Sequence, residues 1–194
     1  MVGTGRESSV AYLAILAVVG LQRLAELGLS RRNSRRAQEA GAVEVGARHY
    51  PWMVALHTSF LLACALEVWL LERPLIVPLA LSAGAILVIA TIIRYSAIRA
   101  LGERWTTRVF DWPSRPLIHT GPYRYLRHPN YLAVALEIAA LPLVHSAWLT
   151  AMVFTLLNSW LLSTRVRIEN EVLAHPTVRS RRETITATER SNGE

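Results

Sequence analysis

Long apolar runs separated by arginine-rich breaks constrain this chain more than any other feature. A helix that crosses a bilayer needs about 20 mostly apolar residues, because each residue rises about 1.5 Å and the hydrocarbon is about 30 Å thick. Residues 10–29, 51–71 and 74–98 each meet that requirement. Pro51 and Pro74 open the second and third runs, where a missing N–H costs least. The last apolar stretch, 131–162, is broken by Pro142 and by the pair His145-Ser146. Its first half, 131–144, spans about 21 Å as a helix, short of a full crossing. This stretch therefore reads as a helical hairpin whose two ends return to the same side. The expected fold is an all-α integral membrane protein of about five transmembrane helices, the last two forming the C-terminal hairpin.

All 21 basic residues are arginine, and the net charge is +7. On a polar domain such a balance would suggest nucleic acid. Here the arginines lie between apolar runs, so membrane topology explains them, and no nucleic-acid partner is expected. Arg31, Arg32, Arg35, Arg36 and Arg48 fill the first break. A second group runs from Arg99 to Arg127, and a third from Arg165 to Arg190. The opposite side holds Arg6, Arg73 and the His145 turn. Five crossings put the three rich groups together, so the expectation is a multi-pass protein of the cell membrane with its N-terminus outside and its C-terminus in the cytosol. Residues 1–175 read as one domain. Residues 176–194 lack apolar periodicity and read as a disordered cytosolic tail. No cleavage site follows the first apolar run, so it does not read as a removed signal peptide.

Several polar residues sit inside the apolar runs: Gln22, Arg23 and Glu26 in the first, His57 and Glu67 in the second. A charge at mid-bilayer costs about 2.5–3.5 kcal/mol on insertion scales. Arg23 and Glu26 are three residues apart and are expected to pair. His57 is expected to pack or to hydrogen-bond between helices, with a place along a substrate tunnel as the alternative. The lone Cys64 falls mid-run and reads as a small buried apolar residue; it supports neither a disulfide nor a metal site, and no metal is expected.

The region 95–175 carries the chemistry. His119-Thr-Gly-Pro-Tyr-Arg-Tyr-Leu-Arg-His-Pro-Asn-Tyr131 packs two histidines, three tyrosines and two turn signals into one break. Gly121-Pro122 makes a turn. Pro129 suits the first turn of the hairpin helix, with His128 at the cap. Free N–H groups at such a terminus favour an anion, and Arg127 adds a charge beside them. Tyrosine faces suit a cation or an adenine ring. A small zwitterion carrying a purine fits this set. Beyond the hairpin comes Arg165-Val-Arg-Ile-Glu-Asn-Glu171. In a helix Asn158, Arg165 and Glu169 share a face, and Arg167 and Glu171 form a second i,i+4 pair. Ordinary helix ion pairs would explain the second element by itself, but not the first.

Gly121-Pro-Tyr123, Arg127-His-Pro-x-Tyr131, a hairpin and Arg165-x-Arg-Ile-Glu-x-Glu171, in that order, resemble the isoprenylcysteine carboxyl methyltransferase family of membrane enzymes. The resemblance implies cytosolic segments that bind S-adenosylmethionine and transfer its methyl group to an oxygen of a lipid-tailed acceptor. It assigns His119, Gly121, Tyr123, Arg127, His128, Pro129, Tyr131, Glu169 and Glu171 to the cofactor pocket. It places Arg167, Glu169 and His128 at the reacting end. Asn170 departs from the family pattern of two adjacent glutamates, which leaves open whether Glu169 or Glu171 faces the pocket. Residues Gln22 to Glu26, Arg32-Asn33, His49 to Met53, His57 and Glu67 look like a bacterial branch that methylates alkylpyrones or alkylresorcinols. That likeness implies a functional link to a type III polyketide synthase.

Two other readings compete. Membrane sterol and steroid reductases share a similar C-terminal hairpin and bind NADPH, but they are usually longer than 194 residues. A non-catalytic membrane protein, such as a transporter, would want polar residues in the third apolar run, where there are almost none before Arg94.

Overall fold

The computed structural model of the chain describes residues 3–47, 50–112 and 118–174. The expected tail lies outside the described residues, as does His49. Five α-helices carry the described fold: α1 (Gly3–Glu39), α2 (Tyr50–Leu70), α3 (Val77–Leu101), α4 (Pro129–Ala140) and α5 (Trp148–Ala174). Two short strands, β1 (Val43–Val45) and β2 (Val109–Asp111), pair antiparallel with Glu44 opposite Phe110.

Three helical stretches are long and apolar enough to cross a membrane: Gly5–Glu39, Tyr50–Leu70 and Val77–Arg104. Their outward surfaces are apolar. Leu21, Leu62, Leu81 and Ile92 are all well exposed, which a membrane protein requires and a soluble one avoids. α4 is apolar but shorter, about 18 Å at 1.5 Å per residue. α5 turns polar from Ser163 onward.

Two boundaries differ from expectation. α3 starts at Val77, with Pro78 in its first turn, so Pro74 belongs to the connection that precedes it. α1 does not stop at residue 29; it continues for another ten residues through Arg31–Arg36. It ends in a Schellman motif. Gly41 adopts φ 81°, its N–H reaches Gln38 O, and Ala42 N–H reaches Ala37 O. Ala37 and Ala42 then pack with Phe110 of β2. The turn thus delivers the chain directly into the strand pair, an element that alternation over three residues is too short to reveal.

The core lies between α1, α2, α4 and the hairpin turn. Tyr12, Leu16, Phe60, Cys64, Val68, Ile138 and Leu141 form one buried cluster. Tyr12 OH donates to Leu141 O at 3.0 Å. Cys64 is fully buried there, as an apolar side chain should be.

The hairpin turn is held on several sides. Pro142–His145 form a single 3₁₀ turn, and Ser146 takes a left-handed conformation (φ 55°) that reverses the chain. His145 is buried, with Nε2 3.1 Å from Ser8 Oγ of α1. The first turn of α5 would leave N–H groups unpaired. Glu67 of α2 meets them: it accepts from Leu149 N at 3.1 Å, Thr150 N at 2.7 Å and Thr150 Oγ at 2.7 Å. Arg73 completes its shell through Nε at 3.0 Å. Glu67 is thus a cap supplied by a neighbouring helix. Glu67→Ala leaves those donors buried and unpaired, with an expected loss of about 2–4 kcal/mol. Thermal melting in detergent should show a clear fall in Tm, and a smaller one for Glu67→Gln.

Candidate active site

The hairpin brings its two flanking motifs into contact. Gly121 opens a 3₁₀ turn, Gly121–Arg124, with φ 57°. A Cβ at Gly121 would lie 3.2 Å from the Cβ of Ala100 and would force α3 and the turn apart. The glycine therefore lets this turn sit against α3. The chain then enters α4 with His128 at the cap and Pro129 at the first helical positions, as the sequence predicts. The His128 side chain does not cap the helix; it reaches across to α5 instead.

His128 Nε2 donates to Asn170 Oδ1 at 3.2 Å, and Nδ1 lies 3.6 Å from Glu169 Oε2. The imidazole stacks on the Tyr131 ring at 5.5 Å between centroids. Arg165, one turn before Glu169, sets its guanidinium 5.4 Å from the same Tyr131 ring. Arg165 also donates to Thr107 O at 2.7 Å and contacts the sulfur of Met53 in α2. Tyr123 belongs to the same group: burial raises the pKa of its hydroxyl, and the nearby Glu169 carboxylate raises it further. An aromatic pair, a carboxylate, an amide, an imidazole and a guanidinium thus converge from the Gly121–Arg124 turn, the start of α4 and α5. The Oδ1 of Asn130, in the first turn of α4, is buried and has no hydrogen-bond partner. A buried acceptor left open in this way is suited to a ligand N–H.

The expected residues separate into two groups. His128, Tyr131, Glu169 and Tyr123 are drawn together, over the buried Pro129. His119, Arg127, Arg167 and Glu171 are exposed. Arg167 and Glu171 make no ion pair with each other among the described residues. Glu169 faces His128 and Glu171 faces outward, while Asn170 occupies the place beside the imidazole. Arg167, which the resemblance places at the reacting end, lies on the exposed side of α5, whereas Arg165 lies against Tyr131. The helical-face argument, which put Arg165 with Glu169, was the signal that could have found it. Asn158 shares that face and is buried, with its Oδ1 unpartnered.

The N-terminal half supplies a wall. A small recess lies beside Arg165, lined by Glu44, Gly46, Tyr50, Thr107 and Arg108 among others. Arg108 pairs with Glu44 across the strand pair, and its guanidinium lies 4.1 Å from the Tyr50 ring centroid. Gly46 has φ 69°, and a Cβ there would lie 3.3 Å from Ile168 of α5. Asn33 of α1 donates to Gly102 O at 3.2 Å and Trp105 O at 2.8 Å. Ser30 bonds the Thr107 hydroxyl at 2.8 Å. These contacts hold the segment leading to the first motif.

Comparison with known proteins identifies the family. The model of the isoprenylcysteine carboxyl methyltransferase (ICMT) family matches residues 83–175, which contain both motifs and the hairpin. The chain is similar to the uncharacterized protein YpbQ of Bacillus subtilis, 35% identical over 87% of this chain and 99% of that one. It is also similar to an uncharacterized protein of Haemophilus influenzae, 27% identical over 86% of this chain and 95% of that one. The chain is a membrane protein of the isoprenylcysteine carboxyl methyltransferase family.

Proposed function

We propose that the chain is an O-methyltransferase that uses S-adenosylmethionine and acts on an oxygen of a lipid-tailed acceptor. The observation that carries this reading is the contact of His128 with Asn170 and Glu169, which joins the two halves of the family motif across the hairpin. Family membership makes a methyltransferase the expected enzyme class.

The side chains suit the donor. Tyr131 and Tyr123 offer faces to a purine or a sulfonium. Glu169 offers a carboxylate to an ammonium. The start of α4 offers the backbone N–H of Asn130 to a carboxylate. When bound, S-adenosylmethionine supplies a methyl group activated by a positive sulfur. The chain's own part is to hold an acceptor oxygen in line with that methyl and to keep water away. An oxyanion needs only positioning. A hydroxyl also needs a base, and His128 and Glu169 are the groups placed to serve. The acceptor is a carboxylate or an acidic enol or phenol of the alkylpyrone and alkylresorcinol kind. The latter would link the enzyme to a type III polyketide synthase. Five crossings, with the N-terminus outside, put the site at the cytosolic surface, where an acceptor's tail stays in the lipid while its head meets the donor.

Purified protein supplied with methyl-labelled S-adenosylmethionine and a bacterial lipid extract should yield a labelled lipid. His128→Ala and Glu169→Ala should each reduce labelling by about 100-fold or more. Transfer that persists in both variants would remove the site assignment.

Arg165 and Arg167 give a sharper test. Arg165→Ala should weaken S-adenosylmethionine binding by about tenfold, as loss of a partly desolvated cation–π and hydrogen-bonding group does. Arg167→Ala should leave it nearly unchanged. Equilibrium dialysis with labelled donor measures both, and the reverse order would return the role to Arg167.

A further inference from the structure

Pairing accounts for the charges inside the apolar part of α1. Arg23 pairs with Glu26 at 2.5 Å and with Glu137 of α4 at 3.1 Å, and Arg94 of α3 pairs with Glu137 at 2.6 Å. It does not account for the arginines farther along the same helix. Arg31, Arg32 and Arg35 are exposed and make no ion pair among the described residues. Arg36, the last of the group, is held by Glu103 at 2.5 Å. Glu39 lies one turn beyond Arg35 and does not pair with it.

A loop would scatter these charges, whereas a helix aims them. α1 runs without a break from Gly3 to Glu39, so its faces continue past the end of the apolar run. Its inward face carries Glu26, Ser30, Asn33 and Ala37, all buried and at helical spacing. Its outward face carries Leu21, Leu24, Gly28, Arg31 and Arg35, all exposed and at the same spacing, with Arg32 beside them. The stripe that meets lipid tails thus turns basic without changing direction. Arg31 lies about 4.5 Å and Arg35 about 10.5 Å beyond Gly28 along the axis. A headgroup layer is about 5–7 Å thick, within reach of side chains of this length.

The three charges also repel one another. Arg31 and Arg35 stand at i,i+4 and Arg32 and Arg35 at i,i+3, and like charges so placed destabilise a helix. The helix dipole offsets such charges only in the last turn, where Arg36 alone of the group lies. An anion from outside the chain is the complement. α3 ends in the same way: Leu81, Val88, Ile92 and Tyr95 are exposed on one face, and Arg99 follows on it. The two ends are at one level, since Asn33 donates to Gly102 O and Arg36 pairs with Glu103 just past α3.

We propose that the face of α1 bearing Arg31, Arg32 and Arg35 docks the phosphate headgroups of anionic phospholipids in the adjoining leaflet. An acidic protein is the poorer match, because its carboxylates would have to enter the headgroup layer to meet Arg31. The inward face of the same stretch holds Trp105 and Thr107 through Asn33 and Ser30. Headgroups on one face and the lead-in to the first motif on the other therefore share one rigid helix.

Electron paramagnetic resonance of tail-labelled lipids tests this, with the full chain reconstituted in phosphatidylcholine vesicles. The chain should immobilise labelled phosphatidylglycerol in preference to labelled phosphatidylcholine by about fivefold or more. Salt at about 1 M should bring that ratio close to one. Changing Arg31, Arg32 and Arg35 together to glutamine should remove most of the preference, and changing all three to lysine should keep it. Arg6→Gln, at the other end of α1, should leave the ratio unaltered. An unchanged Tm in each variant reports that it folds. A ratio near one for the unaltered chain, a ratio that survives the glutamine changes, or one that lysine fails to keep would overturn the proposal. So would displacement of the labelled lipid by inorganic phosphate at an ionic strength where chloride does not displace it, since the face would then serve a soluble anion.

Discussion

The closure of α4 against α5 is the constraint on which the site depends. Neither motif can form a pocket alone, since one precedes the hairpin and the other follows it. The turn that joins them lies deep in an apolar fold, where unpaired backbone groups are expensive. Groups on α1 and α2 and bonds within the turn together hold it. Glu67 of α2 takes the first N–H groups of α5, and Ser8 of α1 sits against His145. Ala147 N–H closes on Pro142 O. With that end fixed, the lengths of the two helices put His128 beside Asn170 at the other end.

The sequence made the large elements plain because hydrophobic length is a strong signal. Three long apolar helices, a broken fourth segment and a buried Cys64 follow from it directly. The hairpin and the pairing of Arg23 with Glu26 were readable for the same reason: a proline in an apolar run, and opposite charges one turn apart. The start of α4 was readable because Pro129 has few other places to be. What remained hidden depended on partners far apart in the chain. Arg94 and Glu137 are 43 positions apart, and nothing local marks them as a pair. The β1–β2 ladder is too short to show a period. Within the second motif, spacing placed Arg165 and Glu169 on one face, yet only the neighbouring α4 shows that this face is the inner one.

The polar groups in the apolar layer follow one rule. Arg23 and Glu26 of α1, Arg94 of α3 and Glu137 of α4 each have an opposite charge beside them, and Glu67 is met by Arg73 of the connection after α2. On insertion scales each unpaired one would cost about 2.5–3.5 kcal/mol. The cluster of Arg23, Glu26, Arg94 and Glu137 therefore serves the fold, since it ties α1, α3 and α4 together. Such a cluster also fixes the rotation of α1 about its axis, because only one face carries the pair.

The strand pair has a consequence for what counts as the unit of folding. β2 lies inside the stretch shared with the family, but its hydrogen-bonding partner, β1, does not. The same is true of Trp105, which is buried and whose backbone carbonyl is held by Asn33 of α1. A fragment cut to the shared stretch would carry an orphan strand edge and a bared indole immediately upstream of its first motif. The early helices are thus no detachable anchor: the region that looks self-contained by kinship borrows part of its framework from outside its own borders.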